Sequence, residues 1–178
     1  MKKAGPAFNT IAAPKTFAAA LFFSGAEQGN IGMVRDVLAT NPDAVRWAKP
    51  VKEDDRPFAT DETGLMLAAQ GGHVEVMKLL IDAGAELNAR QSRRWTALMY
   101  AAERSRDGAV ALLLARGADT TLKNEGGDTA AALAAQRNDF AIARQINNAL
   151  KDHGLTFFQK GQRAMTAPAT ARFKPKQP

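Results

Sequence analysis

From residue 63 onward, apolar positions fall into two short helical patterns that alternate along the chain and are punctuated by glycine. The stretch "TGLMLAAQGGHVEVMKLLIDAGAELN" (63–88) opens on a threonine and runs through a Leu/Ala-rich segment to Gly72. It then enters a second segment with Val76, Met77, Leu80 and Ile81, and stops at Gly84. The spacing i, i+1, i+4, i+5 puts those four side chains on one helical face. The pattern returns 33 residues on from Thr96, as "TALMYAAERSRDGAVALLLARGADTT", with Ala109, Val110, Leu113 and Leu114 as the stripe and Gly117 as the stop. It returns again from Thr129 as "TAAALAAQRNDFAIARQINNAL". A weaker copy comes first, "ALFFSGAEQGNIGMVRDVLATNPDAV", with Ala26 on Ala69, Gly29 on Gly72, and the stripe Met33, Val34, Val37, Leu38. Its offset to the next copy is 43, so about ten extra residues lie between the two.

Each copy therefore predicts two short antiparallel helices. The threonine is an N-cap whose hydroxyl accepts an orphan helix N–H. Gly29, Gly72 and Asn138 end the first helix because they tolerate the left-handed backbone; Ser105 fills that place less well. The last copy is polar along its second helix, with Arg144, Gln145, Asn147 and Asn148 beside Ile142, Ile146 and Leu150. A terminal repeat meets water on one side, and this composition suits that end.

The period and the run "LAAQGGHVEVMKLLIDAGAELN" resemble the ankyrin repeat family over roughly residues 20–150. The resemblance implies an all-α solenoid of helix-turn-helix units with projecting hairpin-like loops. It also implies that the concave groove, built from loops and first helices, binds another protein. The organisation expected is an N-terminal extension 1–16, an array 17–153 with repeats 17–45, 58–90, 91–123 and 124–153 and an insertion 46–57, and a basic, disordered tail 154–178. The chain departs from the family where "TPLH" becomes TGLM, TALM and TAAA, losing the proline at the first helical position and the histidine that buttresses the loops. Arg94 also stands where a loop glycine is usual, though Gly127 keeps it in the next copy.

Charge changes the picture less than its total suggests. The net +6 comes from the two ends: +3 in residues 1–19 and +5 in 151–178, against −2 for the body. Nucleic-acid or other anionic association through the basic ends is thus the alternative to protein binding. No cysteine is present, which excludes disulfides, thiolate catalysis and cysteine-held zinc. No apolar run is long enough to span a membrane. "MKK" followed by "TFAAALFFSGA" imitates a signal peptide, but Pro14 and Lys15 interrupt it and the same run has a place in the repeat. A cytoplasmic monomer is expected, with export as the alternative if residues 1–26 act as a leader.

Candidate chemistry is sparse. His73 lies at a helix-start position whose copies are Asn30, Arg106 and Asp139, and His153 is far away in the array. Glu75, Asp82 and Glu86 belong to the solvent side of the second helix or its loop, and no nucleotide, nucleophile-elbow or metal motif occurs. The expectation is no enzyme, no cofactor, no metal and no small-molecule substrate. Binding positions are the loop tips and the ends of the first helices. The tip "RQSRRW" supplies Arg90, Arg93, Arg94 and Trp95, a composition typical of interface hot spots. Tyr100, Glu103, Arg104, Gln70, Gln136 and Arg137 complete the expected surface. Trp47 and Phe58, in "NPDAVRWAKPVKEDDRPFATDE" (41–62), are expected on an ordered loop lying against the solenoid, with direct partner contact as the second reading.

Overall fold

The computed structural model of the protein describes residues 12–49 and 61–150, with side chains from residue 17 onward. Phe58, most of the 46–57 insertion and the tail expected from residue 154 lie outside the described residues. Four helix pairs follow one another. They are α1 (Ala12–Gln28) with α2 (Ile31–Thr40), α3 (Gly64–Gly71) with α4 (Val74–Asp82), α5 (Ala97–Glu103) with α6 (Asp107–Ala115), and α7 (Ala130–Gln136) with α8, residues 140–150. A 3₁₀ turn, Pro42–Arg46, follows α2. The first helices stack as one layer, α1 on α3 on α5 on α7, and α2, α4 and α6 stack as the second. α1 begins at Ala12, within the residues 1–16 expected as an extension.

The ends of the helices show why the sequence folds this way. Thr63, Thr96 and Thr129 each accept an N–H three residues on, from Met66, Met99 and Ala132, at 3.3 Å. Six of the described turns between or after helices close alike. The left-handed residue is Gly29, Gly72, Gly84, Ser105, Gly117 or Asn138, and the next N–H reaches back to a carbonyl five residues earlier at 2.8–2.9 Å. Ser105 takes this shape with φ 52°, so the poorer residue does not break the pattern.

The apolar stripes meet between repeats. Val34 and Val37, Val76, Met77 and Leu80, and Ala109, Val110 and Leu113 are buried, joined by Ile142 and Ile146 of α8. Arg144, Gln145, Asn147 and Asn148 face solvent, as a terminal repeat requires. At the other end, Phe22 is fully buried over Gly64, where an added Cβ would come within 2.7 Å of its ring. At position 64 the ring of α1 fills the space that a side chain, the family's proline included, would need.

The first residues of the outer helices tie one repeat to the next. His73 Nε2 lies 2.9 Å from the carbonyl of Glu27, and Arg106 Nε donates to that of Gln70 at 3.1 Å. Both carbonyls end an inner helix, where no intrahelical N–H remains to bond them. In the outermost copies the equivalent Asn30 and Asp139 instead cap their own helices, accepting from Met33 and Ile142 at 3.1 Å. The Asp139 carboxyl is held below its ordinary value by that Ile142 N–H first, then by the Ser105 hydroxyl of the preceding repeat. His73 is a splice between repeats.

Candidate functional site

The loops before Thr96 and Thr129 are tight hairpins, and the described residues on either side of 50–60 are paired as well. Gln91 donates its N–H to Trp95 at 3.1 Å, Asn124 to Asp128 at 3.0 Å, and Lys49 to Glu62 at 2.9 Å. In the third repeat Arg94 N–H reaches Gln91 carbonyl at 2.7 Å and Arg94 then turns left-handed, φ 64°; Gly127 repeats this with φ 85°. That is a tight turn followed by a left-handed residue, a common hairpin closure. Before Thr63 the described flanks of the 41–62 stretch also pair, with Ala48 bridged to Thr63.

Two side chains replace the absent buttressing histidine. Gln91 is buried; its amide N–H₂ donates to Tyr100 Oη at 3.2 Å, and its amide oxygen accepts from the Arg93 backbone N–H. Asn124 is buried likewise and accepts from Asp128 N–H at 2.8 Å. These two were missed as supports. Their 33-residue separation and loop position were the available signal. Neighbouring tips also join: Glu125 N–H donates to Arg93 carbonyl at 3.0 Å, and the Arg90 guanidinium to Lys123 carbonyl at 2.7 Å.

Trp95 is partly buried, its ring 5.1 Å from that of Tyr100 and tilted by 46°. Tyr100 is only 7% exposed, and its hydroxyl donates to Glu62 Oε1 at 2.6 Å. Tyr100, expected as part of the binding surface, stands on the inner helix face with Leu67 and Leu133, both buried. Its task is to hold Trp95 from beneath. Arg93 and Arg94 are exposed beside that indole.

At the end of α5, Glu103 is bridged by Arg104 at 3.4 Å and by Arg137 of the next repeat. Gln136 donates to Asp128 at 3.0 Å. Gln70 is half-buried at the corresponding place one repeat earlier. The structure thus sets Trp95 against Tyr100, with Arg90, Arg93 and Arg94 in the same tip, and brings Glu103, Arg104 and Arg137 together at the helix ends. Trp47 is apart from both. It packs edge-on against Phe22 at 5.9 Å, which bears out the packed-loop reading for that residue.

Burial pushes the Tyr100 phenol far above its ordinary range, and the Glu62 carboxylate adds to this while Gln91 opposes it. The folded state therefore holds this proton more tightly than the unfolded one. Its contribution to stability is complete below about pH 10, the ordinary phenol value, and declines as pH rises past it. Tyr100 is the chain's sole tyrosine, so phenolate absorbance reports it alone. The folded protein should show no ionisation midpoint near pH 10; phenolate should appear only as the protein unfolds. A midpoint at the ordinary value in folded protein would contradict the buried hydroxyl.

Among the described residues, no group of three or more His, Cys, Asp or Glu side chains is placed to hold a metal. No helix among them is long and apolar enough to cross a membrane.

A family model of ankyrin repeats in three copies matches residues 22–124. The chain is 32% identical over 118 residues to the rat (Rattus norvegicus) ankyrin repeat and SAM domain-containing protein 6, covering 66% of this chain and 12% of that protein. It is 43% identical over 72 residues to the ankyrin repeat and KH domain-containing protein mask of Drosophila melanogaster, covering 39% and 2%. It is 33% identical over 109 residues to the mitochondrial disaggregase of Bos taurus, covering 55% and 16%. The chain thus spans 16% or less of the length of these three relatives. The family match runs through the first three stacked helix pairs and over more than half of the sequence, and the chain belongs to the ankyrin repeat family.

Proposed function

We propose that this protein is a non-catalytic adaptor, or an inhibitor of another protein, that binds its partner through the side formed by hairpin tips and inner-helix ends. Ankyrin repeats are in general protein–protein interaction modules. The observation that carries the reading here is Trp95. It is a large ring left partly exposed at a tip, yet fixed from below by Tyr100, Gln91 and Glu62. An aromatic anchor ordered before binding loses little freedom on association.

The reading is tested by capture from extracts of the native host with the full chain and its variants. Trp95→Ala, Arg93→Ala and Arg104→Ala should each reduce recovery of the partner, while Lys78→Ala on the outer layer should not. If all three tip and helix-end variants retain the partner and removal of residues 155–178 abolishes it, the basic end does the binding and the reading fails.

Phe22, Phe23 and Ala26 support a cytoplasmic location. All three are buried in the first repeat, so cleavage of a leader after residue 26 would strip part of the core.

A further inference from the structure

The last repeat has no following repeat stacked on it among the described residues, and its two helices meet that situation differently. α8 turns Arg144, Asn147 and Asn148 to water. On α7 the stacking positions stay apolar. Ala135 aligns with Ala69 and Ala102, which are fully buried in the stack, yet Ala135 is only partly buried. Ala132 stands where the earlier repeats have Met66 and Met99, and it too is only partly buried. An open cleft of about 720 Å³ lies between α7 and α8, lined by Ala132, Ala135 and Ala143 with Phe140 at its edge. Among the described residues three large apolar side chains are exposed, and two of them, Phe140 at 67% and Leu150 at 43%, belong to this end. Their spacing puts Phe140, Ala143 and Leu150 on one face of α8. A contiguous apolar strip beside a cleft marks a contact, where a lone exposed ring would not.

The chain itself supplies an occupant. Beyond Leu150 it reads KDHGLTFF (151–158), with no further charge until Lys160. Phe140 lies ten residues back along α8, about 15 Å at the helical rise. The seven residues 151–157 can span up to roughly 23 Å, so Phe157 can return to the cleft. A segment tethered this closely meets its site at about millimolar effective concentration, which a second copy or a separate protein has to exceed. Arg144 stands at the cleft's rim, so the uncharged residues 155–158 suit it and the basic stretch from Lys160 does not.

We propose that Leu155, Phe157 and Phe158 fold back onto this end face and close the cleft between α7 and α8, so that the array is capped by the chain that follows it. The tail expected from residue 154 then starts beyond Phe158. The proposal does not depend on the partner-binding side. Its test compares thermal melts of the purified full chain, Phe140→Ala, the double variant Phe157→Ala/Phe158→Ala, and all three substitutions combined. Phe140 is exposed on the array itself, so its removal alone empties no core site. The double variant and Phe140→Ala should each melt several degrees lower. The combination should lose less than the sum of the two, as residues in contact do. The melt of the unaltered chain should not depend on protein concentration. An unchanged melt in either variant or strictly additive losses would overturn the proposal. A melt that rises with protein concentration would overturn it in favour of a second copy on the same face.

Discussion

Replacing Leu113 by alanine is expected to destabilise the protein by about 2–5 kcal/mol, the range for emptying a buried leucine site. Leu113 is fully buried on α6, and its stripe neighbours Ala109 and Val110 are buried with it. Two of the three are already small or β-branched, so little mobile side-chain volume is available to refill the void. Repeat arrays are held by contacts between adjacent units, so loss at this central site weakens two interfaces at once. A loss of this size is a large part of a marginal domain's total stability. Denaturant unfolding checks it; a change below about 1 kcal/mol would contradict the observed burial.

Trp95→Ala is expected to weaken partner binding about thirtyfold while leaving the fold intact. A truncated interface tryptophan commonly costs about 2 kcal/mol or more, and that converts to roughly this ratio of dissociation constants. The fold should survive because the indole is only partly buried and sits at a tip, with Tyr100 remaining bound to Glu62 and Gln91 beneath it. The measurement is a binding isotherm on the captured partner alongside a thermal melt. A melt that falls as far as the affinity would mean that Trp95 acts through folding and has no contact role of its own.

The helix pairs were legible because their information is repeated. Three threonines 33 residues apart each open a helix, and the stripes Val76–Leu80 and Ala109–Leu113 carry the same spacing. The burial of Tyr100 follows from register rather than residue type. Its copies Leu67 and Leu133 mark a packed position, and a tyrosine there is packed too. The left-handed backbone of Arg94 could be read from Gly127 by the same alignment. Contacts between repeats were not legible. Whether Arg90 reaches Lys123, or His73 reaches Glu27, depends on the rotamer of a long or planar side chain across a gap that the sequence does not measure.

Repeat arrays invite treatment as strings of interchangeable modules, and the Phe22–Gly64 contact removes that freedom at one end. The family's proline grafted at 64 to regularise the second unit would meet the ring already seated there. Moving the third unit up behind the first would bring Ala97 to the same place, with a Cβ where none fits. The first two units are thus a matched pair, keyed by one aromatic ring and one absent side chain. Order along this solenoid is fixed by shape at that joint, so any shuffling or consensus redesign of the array has to exchange α1 and α3 together.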